Sequence, residues 1–108
     1  MGSDQSQTGD IVKERVVPKG EPKTKDPKLH KVVLMNDDYS TMEFVVLVLE
    51  TVFQKSPAEA FRVMMQVHQL GSGVAGVYPW EVAETKVETV TKLAKDAAFP
   101  LRAIIEDL

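Results

Sequence analysis

The chain contains no cysteine, which excludes disulfides and thiolate zinc sites. Histidine is nearly as scarce. His30 and His68 are the only two, too few for an ordinary structural metal centre. No apolar run reaches membrane-spanning length and no signal-peptide pattern opens the sequence, so a cytoplasmic protein without membrane contact is expected. Also missing are an H-E-x-x-H pair, a glycine-rich phosphate loop and a G-x-S-x-G elbow, the common signatures of enzyme centres. Nor is there a basic surplus where a core should form. Residues 1–30 carry a net charge of about +1, while 31–108 carry about −4 of the chain total of −3. An acidic core argues against nucleic acid and is compatible with cationic ligands.

What remains is 108 residues, 44% of them hydrophobic, enough for one domain with a modest core. Residues 1–28 read as a flexible N-terminal extension. They are rich in Gly, Pro, Lys, Asp and Gln, and Pro18, Pro22 and Pro27 obstruct regular structure. The core domain is expected over 29–108. Leu29 to Met35 is apolar and β-branched, which predicts a strand. Ser40 and Glu43 fit an S-x-x-E capping box, followed by a strongly apolar helix from Met42 to about Gln54. Ser56, Pro57 and Glu59 open a second helix that ends at Leu70 before Gly71. Ser72 to Tyr78 predicts a second strand with a twist or bulge. Pro79 opens a third helix to about Ala98, with an apolar stripe of Val82, Val87, Val90, Leu93, Ala94 and Ala97. Leu101 to Ile105 is a last strand. The order β-α-α-β-α-β implies a single small α+β domain, a three-stranded antiparallel sheet with three helices on one face.

The chemistry concentrates at Asn36-Asp37-Asp38, between the first strand and the first helix. Paired acids before a helix also serve plain turn chemistry and dipole matching. His68 shares a helix face with Met64 and Val67 at i, i+3 and i+4 spacing, and a lone histidine there is equally an ordinary edge-of-core residue. Taken together, the amide, the carboxylates and the imidazole suit a small protonated amine, and the methionines and valines suit its apolar attachment. Two other readings stay open. One is a metal-dependent or acid–base hydrolase using Asp37, Asp38 and His68, though the ligand pattern is thin. The other is a plain protein-interaction module.

The run Val33-Leu34-Met35-Asn36-Asp37-Asp38-Tyr39-Ser40-Thr41-Met42-Glu43-Phe44-Val45 resembles the signature of the ClpS adaptors. So do Met64, Val67-His68, the stretch Gly76-Val77-Tyr78-Pro79-Trp80-Glu81-Val82-Ala83-Glu84-Thr85-Lys86, and Pro100-Leu101. The resemblance spans about residues 29 to 108. It implies an adaptor, not an enzyme, with no cofactor. Such an adaptor binds the free first residue of N-end rule substrates (Leu, Phe, Tyr or Trp) and delivers them to the ClpA unfoldase of the ClpAP protease. By the same resemblance, Asn36, Asp37, Asp38 and His68 would hold the α-amino group. Ser40, Met42, Val45, Met64, Val67 and Leu101 would line the side-chain pocket, with Met64 as gatekeeper against β-branched residues. Glu81, Glu84 and Lys86 would dock the unfoldase, and the N-terminal extension would engage it during handover. The chain departs from the family pattern twice. Ser40-Thr41 stands where Thr-Pro is usual, and Trp80 stands where a smaller residue is expected. A monomer suffices for all of this.

Overall fold

In a computed structural model of the protein, residues 27–108 are described. The expectation of a flexible extension over 1–28, and of its part in handover, falls almost wholly outside the described residues. The elements are β1 (Leu29–Met35), α1 (Met42–Thr51), α2 (Pro57–Leu70), β2 (Ser72–Pro79), α3 (Trp80–Asp96) and β3 (Arg102–Asp107). This is the expected β-α-α-β-α-β order. The strands form one antiparallel sheet in the order β2-β1-β3, with β1 in the centre. β1 earns that place by composition, since Val32 and Leu34 are fully buried and Val33 is 5% exposed. A β-bulge opposite Val32 and Val33 leaves Ala75 unpaired, which bends β2 as the glycines flanking it allow.

One buried cluster joins the sheet to the helices. It contains Val32 and Leu34 from β1, Phe44, Val45, Val48 and Leu49 from α1, Ala60, Val63, Met64 and Val67 from α2, and Ala83, Val90 and Ala94 from α3. α3 crosses all three strands, α2 packs on β2, and α1 packs on α2. The third-helix stripe keeps the expected Val87, Val90, Leu93 and Ala94 on the core side but not Val82 or Ala97. Ala83 is fully buried, whereas Val82 is 41% exposed and Ala97 is exposed. A residue step turns a helix by about 100°, so the 83, 87, 90, 94 row faces the core and Val82 looks out beside it. α1 is not buried all round either, because Leu47 is exposed.

The helix ends follow local chemistry. At α2, Ser56 Oγ accepts from the Glu59 N–H at 3.2 Å, Pro57 stands in the first turn, and Gly71 caps the far end with φ 91. That left-handed cap is available to glycine without strain. Glu59 does not return the bond to Ser56; its carboxylate takes Arg62 at 2.9 Å. At α1 the expected Ser40–Glu43 box does not form. Thr41 is the cap residue, in extended conformation, and its hydroxyl accepts from the Phe44 N–H at 3.1 Å. Ser40 is committed elsewhere, to Asp37. α1 also stops at Thr51, before the expected Gln54, whose φ of 52 turns the chain. α3 ends at Asp96, and Ala98 (φ 62) turns the chain toward Phe99 and Pro100.

Candidate functional site

The β1–α1 turn is folded by one carboxylate. Asp37 Oδ1 accepts the N–H groups of Tyr39 at 2.8 Å and of Ser40 at 2.6 Å. Asp37 Oδ2 accepts the Ser40 hydroxyl at 2.8 Å. An aspartate that captures N–H groups two and three residues ahead builds a tight turn without help from the backbone carbonyls. Partial burial pushes the Asp37 carboxyl up, but the bonds from the Ser40 N–H, the Ser40 hydroxyl and the Tyr39 N–H outweigh it. They hold the group below its ordinary value near 3.8, so it is an anion at neutral pH.

A second contact brings the acids to α2. The Asn36 N–H donates to the Gly71 carbonyl at 2.9 Å, tying the start of the turn to the left-handed cap of α2. His68 lies in the last turn of that helix. The loop and the helix end are therefore fastened beside one another by backbone bonds. Asn36, Asp37, Asp38 and His68 form the polar rim of a common groove. Its remaining walls are Ser40, Met42, Val45, Met64 and Val67, and the cavity volume is about 240 Å³. Val45, Met64 and Val67 are at most 6% exposed, while Met42 is 43% exposed at the mouth. The result is an apolar floor with an acidic, amide- and imidazole-bearing edge.

Nine residues singled out in the sequence are thus brought together. Leu101 is not among the groove walls. It is 4% exposed and belongs to the buried core cluster, as do Val45, Met64 and Val67. Sequence reasoning assigned Ser40 to a helix cap and to the pocket wall and missed its bond to Asp37. The D-x-x-S spacing was the available signal. Among the described residues no three of His, Cys, Asp and Glu are grouped so as to hold a metal ion. Asp37, Asp38 and His68 line one groove without forming such a set.

Glu81 and Lys86 lie elsewhere, in a shallow groove between the end of α1 and α3, with Thr51, Gln54, Val82 and Thr85. Glu84 is exposed on the same helix. Lys86 is not a free surface charge. Its ammonium donates to the Val52 carbonyl at 2.6 Å and to Gln54 Oε1 at 3.0 Å, and it sits 5.4 Å from the centroid of the Tyr78 ring. It satisfies carbonyl groups that the end of α1 leaves open. Trp80 is 47% exposed and meets His30 edge-on at 5.3 Å.

Fold and groove define a small ligand-binding domain in which a rigid sheet and two helix ends present one polar-rimmed apolar pocket. Residues 25–104 match the family of ATP-dependent Clp protease adaptor proteins, ClpS. Curated relatives agree. The ATP-dependent Clp protease adapter protein ClpS of Desulfatibacillum aliphaticivorans is 58% identical over 84 residues, covering 78% of this chain and 81% of the relative. That of Wolinella succinogenes is 56% identical over 82 residues, 76% of this chain and 80% of the relative. Among solved structures, Agrobacterium tumefaciens ClpS2 bound to L-phenylalaninamide superposes with a TM-score of 0.73 at 48% identity. It covers 76% of this chain and 99% of that one. The chain belongs to the ClpS family of Clp protease adaptors.

Proposed function

We propose that this protein binds the free first residue of N-end rule substrates in the groove between β1, α1 and α2, and hands them to a ClpA-type AAA+ unfoldase. The observation that carries the reading is the groove itself. An ionised carboxylate, an amide and an imidazole stand on the rim of an apolar pocket. An α-ammonium offers three donors to acceptors of those kinds, and a Leu, Phe, Tyr or Trp side chain has apolar walls to enter. L-phenylalaninamide, the ligand of Agrobacterium tumefaciens ClpS2, has that chemistry: a free α-amino group beside an aromatic side chain.

In this reading Asn36, Asp37 and His68 hold the ammonium, with Asp38 adding charge close by. Ser40, Met42, Val45, Met64 and Val67 enclose the side chain. Leu101 backs those walls from within the core. Met64 limits branching at the first residue. Glu81 and Glu84 face the unfoldase, and Lys86 shapes that surface by holding the end of α1. The protein acts as a cytoplasmic monomer without a catalytic centre. The groove and its ligand are small, and ordering the peptide opposes the contacts, so micromolar affinity is expected, about −8 kcal/mol. The test is a fluorescence titration with two Leu-first peptides of one sequence, one free and one N-acetylated. The free peptide is expected to bind and the acetylated one to lose binding by at least about a hundredfold, because acetylation removes the charge and two donors. Equal binding of the two would end the reading.

A further inference from the structure

Asp37 has more bonding capacity than the turn uses. A carboxylate offers about four lone-pair sites, two on each oxygen. Both sites on Oδ1 are filled, by the Tyr39 and Ser40 N–H groups at 2.8 and 2.6 Å. One site on Oδ2 is filled by the Ser40 hydroxyl at 2.8 Å. A single site on Oδ2 is left for a donor from outside, and Asp37 and Ser40 both line the groove. Among the described residues Ser40 alone bonds both oxygens, so it fixes the carboxylate against rotation about its last side-chain torsion. Its neighbour Thr41 accepts from the Phe44 N–H and, among the described residues, makes no bond to Asp37.

We propose that Ser40 is a positioning residue for ligand capture, clamping Asp37 through N–H and hydroxyl so that the one open lone pair of Oδ2 meets an incoming α-ammonium. The proposal rests on the reading of the groove as an amine site. It gives Ser40 a role distinct from pocket wall. A wall residue affects ligands according to side-chain size, whereas a clamp on the acid affects every first residue alike. Without the hydroxyl the carboxylate loses a charge-assisted bond and gains torsional freedom that binding must remove. The other ionisable groups on the groove are Asp38 on the same turn and His68 on α2, with Glu43 in the first turn of α1. The substitutions below alter none of them.

The experiment compares the wild type with Ser40→Ala, Ser40→Thr and Ser40→Val, the last two matched in shape and differing by the hydroxyl. Each is titrated with Leu-, Phe- and Trp-first peptides and, separately without ligand, by carboxyl NMR of Asp37 against pH. Ser40→Ala and Ser40→Val are expected to weaken all three peptides by a similar factor, about fivefold, and to raise the Asp37 titration midpoint. Ser40→Thr is expected to keep both near wild type. The proposal fails if the Asp37 midpoint is the same with and without the hydroxyl. It also fails if losses follow the size of the first residue, or if Thr and Val behave alike. Amide spectra identify any variant that does not fold, and the Thr–Val pair decides the matter if Ala is lost. Should the wild type bind free and acetylated peptides equally, the amine-site reading falls, while the Asp37 titration still reports whether the clamp exists.

Discussion

Asp37 serves two purposes with one carboxylate, folding the β1–α1 turn and charging the groove rim. Its bonds have a consequence for stability. A carboxyl held below its ordinary value in the folded state contributes stability that is present above the unfolded value near 3.8. That contribution is lost as pH falls through the folded value. Asp37→Asn is therefore expected to be less stable than the wild type at pH 7, with the gap narrowing as pH drops below about 4. Urea melts at several pH values check this, and a gap that widens in acid would contradict the bonding described. The same residue marks the limit of what sequence conveys. The cluster Asn36-Asp37-Asp38, His68 and Met64 was legible, because acids, an amide and an imidazole near an apolar face are uncommon in company. The partner of Ser40 was not. Ser40 and Thr41 are both competent caps, and S-x-x-E is as good a pattern as D-x-x-S. The Ser40 N–H is what the two patterns compete for, since a capping box would give it to Glu43; it goes to Asp37 Oδ1, and the cap falls to Thr41.

Among the elements, β2 and α2 are pressed together where a glycine permits it. A Cβ added at Gly73 would lie 3.0 Å from Val67 Cγ2, 3.3 Å from the Val63 carbonyl oxygen and 3.4 Å from Val63 Cγ1. The carbonyl belongs to a helix and cannot yield alone, so α2 or β2 must shift. Gly73→Ala is expected to cost about 1–3 kcal/mol, as overpacked cores do, and to weaken peptide binding because Val67 walls the groove. Denaturant melts and a peptide titration measure the two effects, and a variant with wild-type stability would mean that the two elements are not in such close contact. Element order, the bulge in β2 and both ends of α2 could be read in advance. Ser56, Pro57 and Gly71 act within a few residues of themselves, where sequence rules are strongest. The stripe of α3 was legible at Val87, Val90, Leu93 and Ala94 but not at its start, because alanine at 83 carries little hydrophobic signal and valine at 82 carries much. The choice between them is made by close packing of the helix on the sheet, which favours the smaller residue. The early end of α1 was equally hidden. The chain turns at Gln54 (φ 52), and the Val52 carbonyl left there is taken by Lys86, 34 residues away.

At the largest scale, among the described residues, the Asn36–His68 groove and the Glu81–Lys86 groove share no residue. The first opens beside the β1–α1 turn and the cap of α2, and the second between the end of α1 and the start of α3. If the proposed reading holds, one surface takes cargo while the other takes a partner, which is the geometry an adaptor requires. The two are not wholly independent. α1 runs between them, with Met42 and Val45 lining the first groove and Val52 and Gln54 held by Lys86 at the other end. Three substitutions distinguish direct from transmitted effects. Glu81→Lys reverses a surface charge that no side-chain bond among the described residues uses, so it is expected to impair unfoldase binding about tenfold or more while leaving peptide affinity within about twofold. Asp37→Asn is expected to do the opposite. Lys86→Met keeps the side-chain stem over Tyr78 but removes the donors to Val52 and Gln54. It should lower stability by about 1 kcal/mol as well as weaken unfoldase binding. Peptide titrations, partner binding by calorimetry and thermal melts on the three proteins make a complete comparison. If Glu81→Lys lowers peptide affinity as much as Asp37→Asn does, the surfaces are not separate and the adaptor geometry is wrong. If Lys86→Met leaves stability unchanged while abolishing partner binding, Lys86 acts as a direct contact and not through the end of α1.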